Sequence, residues 1–186
     1  MEIIDLAIKD VKLIRPKNFI DDRGYFSETF KLTAYEDLVN GRKFVQDNQS
    51  LSKNKYILRG LHYQTNPYAQ DKLLQVLNGK ILDIAVDIRE SSETYGMHIS
   101  KELSGEKLEQ ILVPVGFAHG FITLEKNTLV QYKVTNYYSP EHDRGIAWND
   151  SDLAIDWGVK HSDIITSIKD QNNPSLADIE KFWGPN

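Results

Sequence analysis

Arg59, His62 and Lys72 fall close together in Leu58-Arg59-Gly60-Leu61-His62-Tyr63-Gln64 and Gln70-Asp71-Lys72-Leu73-Leu74-Gln75-Val76. A guanidinium is a permanent cation, an imidazole titrates near neutral pH, and an ammonium is a cation whose pKa burial can tune. Such a set can hold a small anion and move a proton. Packing alone has no need of it. The rest of the chain therefore reads as scaffold and as the remaining parts of a site.

The scaffold is legible as short apolar runs separated by turn residues. Strands are expected over residues 11–14, 25–30, 44–48, 57–64, 72–77, 80–88, 98–103, 110–113, 120–124 and 128–138. Asn78-Gly79 between two apolar runs predicts a hairpin. In Leu82-Asp83-Ile84-Ala85-Val86-Asp87-Ile88 one face is all Leu, Ile and Val, and the other carries both aspartates, which is period-two alternation. Thr33-Ala34-Tyr35-Glu36 has capping-box spacing and predicts a short helix to about Asn40-Gly41. Many short strands at this spacing indicate an all-β sandwich or barrel with short peripheral helices. From about 139 the chain turns polar and loop-rich, a C-terminal extension of one domain spanning 1–186, and Ser175 opens a short terminal helix.

Composition narrows the partners. A net charge of -5 and 26% charged residues argue against a nucleic acid polymer or an anionic membrane surface, while a local Arg/Lys cluster still suits a small anionic ligand. There is no cysteine, hence no disulfide framework or thiolate chemistry, which fits a cytoplasmic chain. The start Met1-Glu2-Ile3-Ile4-Asp5 is acidic, unlike a secretory signal.

Pro114-Val115-Gly116-Phe117-Ala118-His119-Gly120 matches P-x-G-x-x-H, the second half of the cupin jelly-roll pattern. The first half of that pattern carries two histidines and a glutamate. Here His62 fits the first histidine, Gln64 stands at the second and Lys72 at the glutamate. A divalent metal wants imidazole and carboxylate donors, so an amide and an ammonium in those places predict a pocket with no metal site.

The chain resembles the dTDP-4-dehydrorhamnose 3,5-epimerase family. The matching stretches are Asp22-Arg23-Gly24-Tyr25-Phe26-Ser27-Glu28-Thr29-Phe30, Phe44-Val45-Gln46-Asp47-Asn48-Gln49-Ser50, Leu58 through Gln64, Lys72-Leu73, Asp83-Ile84-Ala85-Val86-Asp87-Ile88-Arg89, Pro114 through Phe121, and Tyr132-Lys133-Val134-Thr135. They continue through Gly145-Ile146-Ala147-Trp148-Asn149-Asp150 and Lys169-Asp170, in the family's order over nearly the whole chain. The resemblance implies a cupin-type jelly roll, a homodimer, and acid–base chemistry with no metal or organic cofactor. Its substrate would be a nucleotide diphosphate 4-keto-6-deoxyhexose, whose ketone acidifies the hydrogens on carbons 3 and 5. On that likeness His62 matches the base, Asp170 the carboxylate that orients it, Tyr132 the acid on the far face, and Lys72 the cation at the enolate oxygen. Arg23, Arg59 and Lys169 match diphosphate and nucleotide contacts. Glu28, Gln46, Asn48 and His119 match pocket-lining positions, Tyr138 the ring that stacks on the base, and Asp143 a position where the family more often has Glu.

Plainer readings stand beside these. His62 is a candidate core histidine, His119 a support for the Pro-Gly turn, Tyr132 an ordinary strand tyrosine, Arg23 a turn residue, and Lys169-Asp170 a surface pair. Function likewise has alternatives: mono-epimerisation, 3,4-ketoisomerisation, a non-catalytic sugar-nucleotide-binding cupin, or a metal-dependent cupin oxygenase. Strict alternation sets His62 and Gln64 on one strand face and Arg59 on the other. If both His62 and Arg59 reach a ligand, Gly60 must sit at a bend or bulge, or the ligand must reach round the strand end.

Overall fold

In a computed structural model that describes residues 1–180 and 182, two antiparallel sheets pack face to face. The strands are β1 Glu2–Asp5, β2 Lys12–Arg15, β3 Asn18–Asp21, β4 Gly24–Ser27, β5 Gln46–Ser52, β6 Leu58–Gln64 and β7 Lys72–Asn78. They continue with β8 Lys80–Asp87, β9 His98–Ser104, β10 Gln110–Val113, β11 Phe117–Thr123, β12 Thr128–Val134 and β13 Asp143–Gly145. One sheet runs β1-β2-β10-β7-β12-β5, the other β13-β6-β11-β8-β9, and β3-β4 form a separate ribbon. This is a cupin-type jelly roll. One α-helical turn, α1 Ile168–Gln171, joins several 3-10 turns at the periphery. Among the described residues no helix is long and apolar enough to cross a membrane.

Three apolar layers follow from the strand periods. Between the sheets lie Leu74, Val76, Ile81, Ala85, Phe117, Phe121 and Val130. The outer face of the five-stranded sheet carries Leu58, Leu61, Ile84, Val86 and Ile88, and the extension covers it with Ile146, Leu153, Ile155 and Trp157. Full burial of one such side chain is worth about 1.5–3 kcal/mol, which is what keeps a loop-rich tail in place. The outer face of the other sheet presents Ile14, Leu73 and Leu112 to Tyr35 and Val39.

Two expectations change, and one open face is assigned. Asn78-Gly79 is no hairpin: β7 and β8 belong to different sheets, and the turn is the corner between them. Gly79 sits at φ +80, and a Cβ there would meet Thr128 Oγ1 at 2.5 Å. The apolar face of β8 points outward under the extension, so Asp83 and Asp87 face the space between the sheets. The helix expected from Thr33 is two 3-10 turns, Leu32–Ala34 and Glu36–Val39, without a side-chain cap, closed by Asn40 at φ 51. Packing of Tyr35 and Val39 decides that geometry, because so short a segment has little helical stability of its own. Asp87 is structural: it accepts from Arg89, Ser92 and Thr94. Trp183 lies outside the described residues.

Candidate active site

At one end the sheets part and the space between them becomes polar. A cleft of about 520 Å³ opens there, with His62, Arg59 and His119 from the five-stranded sheet, and Lys72 and Tyr132 from the six-stranded one. Lys169 and Asp170 close it from α1. A second chamber of about 320 Å³ shares His62, Lys72, Tyr132 and Lys169 with it and adds Gln46, Asn48, Tyr138 and Asp143. The two chambers together form one groove, sized for an elongated ligand.

Gly60 resolves the tension on β6. The pairing of β6 with β11 runs His62↔His119 and then Arg59↔Phe121, so β6 holds one extra residue there. That bulge returns Arg59 to the cleft side, beside His62. Only glycine fits: φ is +125, and a Cβ would lie 2.5 Å from Gly120 Cα and 2.8 Å from His119 O. A close backbone approach, rather than strand propensity, fixes this residue.

His62 Nε2 lies 2.6 Å from Asp170 Oδ1, although the two are 108 residues apart in sequence. Asp170 is buried, and burial alone would raise its pKa. The hydrogen bond and charge of His62, the Ser167 hydroxyl and nearby Lys169 outweigh burial and hold it below the ordinary carboxylate range. With Nε2 engaged by Asp170, Nδ1 is the ring nitrogen outside the pair. This is not the arrangement of a satisfied core histidine.

Lys72 donates from Nζ to the His62 carbonyl at 3.0 Å, which brings the ammonium across the gap between the sheets to β6. Burial drives its pKa down to about 8, against the opposing pull of Asp143 and Asp83. The strand is pinned at its start by buried Asp71, which takes both Arg42 Nε and Nη2 at 2.6 and 2.8 Å and also the Val115 amide. Tyr132, on β12 beside β7, has its pKa raised chiefly by burial, so its hydroxyl keeps its proton at neutral pH.

His119 does not support the Pro-Gly turn. Its Nε2 meets both carboxylate oxygens of fully buried Asp83 at 2.9 Å. Asp83 had a signal in the sequence, an acid alternating with aliphatic residues on a central strand. Gln64 does not act as a donor into the cleft: it is buried and satisfied by the Tyr68 and Tyr137 carbonyls and the Ser139 amide. Among the described residues no group of three or more His, Cys, Asp or Glu side chains is placed to hold a metal ion.

In the outer chamber Tyr138 donates to Asp143 Oδ2 at 3.0 Å, and Lys169 Nζ pairs with the same oxygen. Gln46 ties to Asn48 Oδ1 at 2.9 Å and accepts from the Tyr138 amide at 3.0 Å. Tyr138 is thereby held at the rim with its ring exposed. Arg23 and Glu28 are the expected site residues that lie elsewhere. Arg23 sits at the tip of the β3-β4 ribbon with its side chain 90% exposed and paired only to Asp21. Glu28 borders two other crevices, of about 170 and 340 Å³, that share no residue with the cleft. Ser167 was not foreseen, although Ser167-Ile168-Lys169-Asp170 has the S-x-x-D spacing of a helix start.

Residues 5–178 match the family model described as dTDP-4-dehydrorhamnose 3,5-epimerase. The chain is 48% identical to the enzyme of that name from Sinorhizobium fredii, over 94% of this chain and 89% of that protein. It is 46% identical to the one from Escherichia coli, over 96% of each. The solved dTDP-6-deoxy-D-glucose-3,5-epimerase of Legionella pneumophila, in complex with dTDP-4-keto-L-rhamnose, superposes with a TM-score of 0.91 at 43% identity, over 96% of this chain and 94% of that one.

Proposed function

We propose, for a chain that belongs to the dTDP-4-dehydrorhamnose 3,5-epimerase family, how its own residues divide the work of that isomerase. The reaction is 3,5-epimerisation of a dTDP-linked 4-keto-6-deoxyhexose, dTDP-4-dehydro-6-deoxy-D-glucose giving dTDP-4-dehydro-L-rhamnose. The His62 imidazole removes the proton from a carbon next to the ketone. Asp170 holds the ring and stabilises the imidazolium that forms. Electron density moves onto the ketone oxygen, and the Lys72 ammonium stabilises that enolate. Tyr132 returns a proton from the opposite face, completing inversion at carbon 5. The observation that carries this division is that base and acid stand on facing sheets, His62 on β6 and Tyr132 on β12, with Lys72 on β7 beside β12 reaching across to the His62 carbonyl.

The outer chamber takes the nucleotide: Tyr138 stacks on the base, Gln46, Asn48, Asp143 and Lys169 line its seat, and Arg59 and His119 face the diphosphate and sugar. No metal or organic cofactor is invoked in this division. Arg23 and Glu28 fit the same function if they serve a second copy of the chain. Phe19, Ile20, Tyr25 and Phe26 on the ribbon are each more than half exposed, and an isolated two-stranded ribbon is marginal in water. A homodimer would cover these side chains and carry Arg23 and Glu28 to the neighbouring cleft. One domain acting as a cytoplasmic dimer is the state this reading implies.

The test is proton exchange. The dTDP-4-keto sugar is incubated with the protein in deuterated water, and carbons 3 and 5 are followed by NMR. His62→Ala abolishes exchange at both carbons. Tyr132→Phe leaves proton abstraction but impairs inversion at carbon 5. Equal loss in the two variants would contradict the division of labour, and inversion at carbon 3 alone in the parent protein would make it a mono-epimerase.

A further inference from the structure

His62, Lys72 and Tyr132 stand on paired strands, but Asp170 does not. It lies on the single turn α1 within a loop whose tie to the sheet is the bridge Ile57↔Ile165, with Leu58 N to Ile165 O at 2.9 Å and Ile165 N to Tyr56 O at 2.8 Å. Something beyond the bridge must aim a carboxylate five residues further along the chain. Ser167, the residue at the helix start, has φ -75 and ψ 160, outside the helical region. Its hydroxyl oxygen accepts from the Asp170 amide at 3.1 Å, and the same hydroxyl donates to Asp170 Oδ2 at 2.9 Å. One side chain therefore holds both the backbone and the carboxylate of Asp170. The other oxygen, Oδ1, is left facing His62 Nε2.

We infer that Ser167 is a positioning residue for the His62–Asp170 pair, acting through the carboxylate rather than on the substrate. The inference rests on the reading of His62 as the base. The physical argument is one of freedom and charge. A carboxylate held at one oxygen only can turn about its Cβ–Cγ bond, and the 2.6 Å contact to His62 survives in only part of that rotation. Asp170 is buried, so a second oxygen left without a donor would also be costly to desolvate. With the hydroxyl donating, both oxygens are satisfied and their plane is fixed. The hydroxyl also spreads the negative charge of the pair. Taking it away raises the affinity of the His62–Asp170 unit for a proton, whichever member carries it.

The test compares Ser167→Ala with Ser167→Thr. Alanine removes both bonds, and loss of a cap costs about 1 kcal/mol, which leaves the protein folded by thermal unfolding. Threonine keeps the hydroxyl and is an accepted cap. For Ser167→Ala, kcat falls about tenfold or more, as for loss of one hydrogen bond to a charged group, and KM stays within about twofold. Its kcat/KM profile shows an acid limb moved upward by about half a unit or more. Ser167→Thr restores both. A parent-like Ser167→Ala would overturn the inference, as would a fall in kcat with the limb unmoved or one that threonine does not rescue. If His62→Ala still exchanges protons, the reading of the base itself has failed. If His62→Ala is dead and Ser167→Ala is parent-like, only the role of Ser167 has failed.

Discussion

Replacing Lys72 by methionine should move activity and stability in opposite directions. Lys72 is half-buried where it lines the cleft, and desolvation of its ammonium brings the pKa from 10.5 to about 8. That difference corresponds to about 3 kcal/mol of penalty on the charged form. The sign follows from proton uptake. Below pH 8 both folded and unfolded chains hold the proton, and the folded state bears the whole penalty. Between about pH 8 and 10.5 the folded protein sheds the proton while the unfolded chain keeps it, so the penalty fades as pH rises. Lys72→Met removes the penalty and also loses the bond to the His62 carbonyl, worth about 1 kcal/mol. The net gain at pH 7 is about 1–2 kcal/mol, a rise in Tm of roughly 2–8 °C for a chain of this size. Activity goes the other way, because losing one donor to a developing oxyanion typically costs about 10²–10³ in kcat. In the parent protein the basic limb of kcat/KM should fall near pH 8 and belong to Lys72. Tyr132 cannot supply it, since burial pushes that phenol above its ordinary value of 10.0. Initial rates across pH by NMR, with thermal unfolding in the same buffers, give both readouts. If Lys72→Met keeps the parent's basic limb, or melts lower than the parent at pH 7, the account of Lys72 as a desolvated, catalytically required cation is wrong.

Two further predictions concern the ribbon and the bulge. Arg23→Ala and His62→Ala chains, each inactive or nearly so alone, should recover activity when refolded together. A cross-subunit site leaves one intact centre in each mixed dimer, about a quarter of the parent activity for random association; no recovery would place Arg23 in its own chain's cleft or outside any site. Gly60→Ala forces a side chain to 2.5 Å from Gly120 Cα at φ +125, so calorimetry should show a loss of several kcal/mol from strain and overpacking together. An unchanged Tm would mean that β6 and β11 part easily, and that the bulge does not hold Arg59 beside His62.

The parts of the site that the sequence made legible are those governed by local periodicity. The face shared by Lys72, Leu74 and Val76 follows from period two, and Leu74 and Val76 do lie in the core between the sheets. The alternation on β6 even exposed its own exception, since it demanded a break at Gly60 if Arg59 and His62 were to share a ligand. What period two cannot say is which face points inward. On β8 the aliphatic face turned out to be covered by the extension, so the aspartates, the less apolar choice, line the interior. The Asn78-Gly79 turn failed for a related reason. A tight turn fixes a reversal of direction, but pairing is decided by which sheet the next strand can bury itself in.

The contact that matters most, His62 to Asp170, spans 108 residues and has no local signature at all. The family likeness supplied it. The logic of its placement is nevertheless physical. In the proposed division of labour the groups that must keep fixed distances from a sugar ring, His62, Lys72 and Tyr132, sit on strands hydrogen-bonded on both sides, β6 between β13 and β11, β7 between β10 and β12, and β12 between β7 and β5. The group proposed to tune the base, Asp170, arrives on a loop, held locally by one serine hydroxyl. A loop-borne carboxylate with its own orienting residue can be adjusted by a single substitution without disturbing the sheet. On the proposed roles, the segment 165–170 would set the strength of the base, and the two facing sheets the stereochemistry.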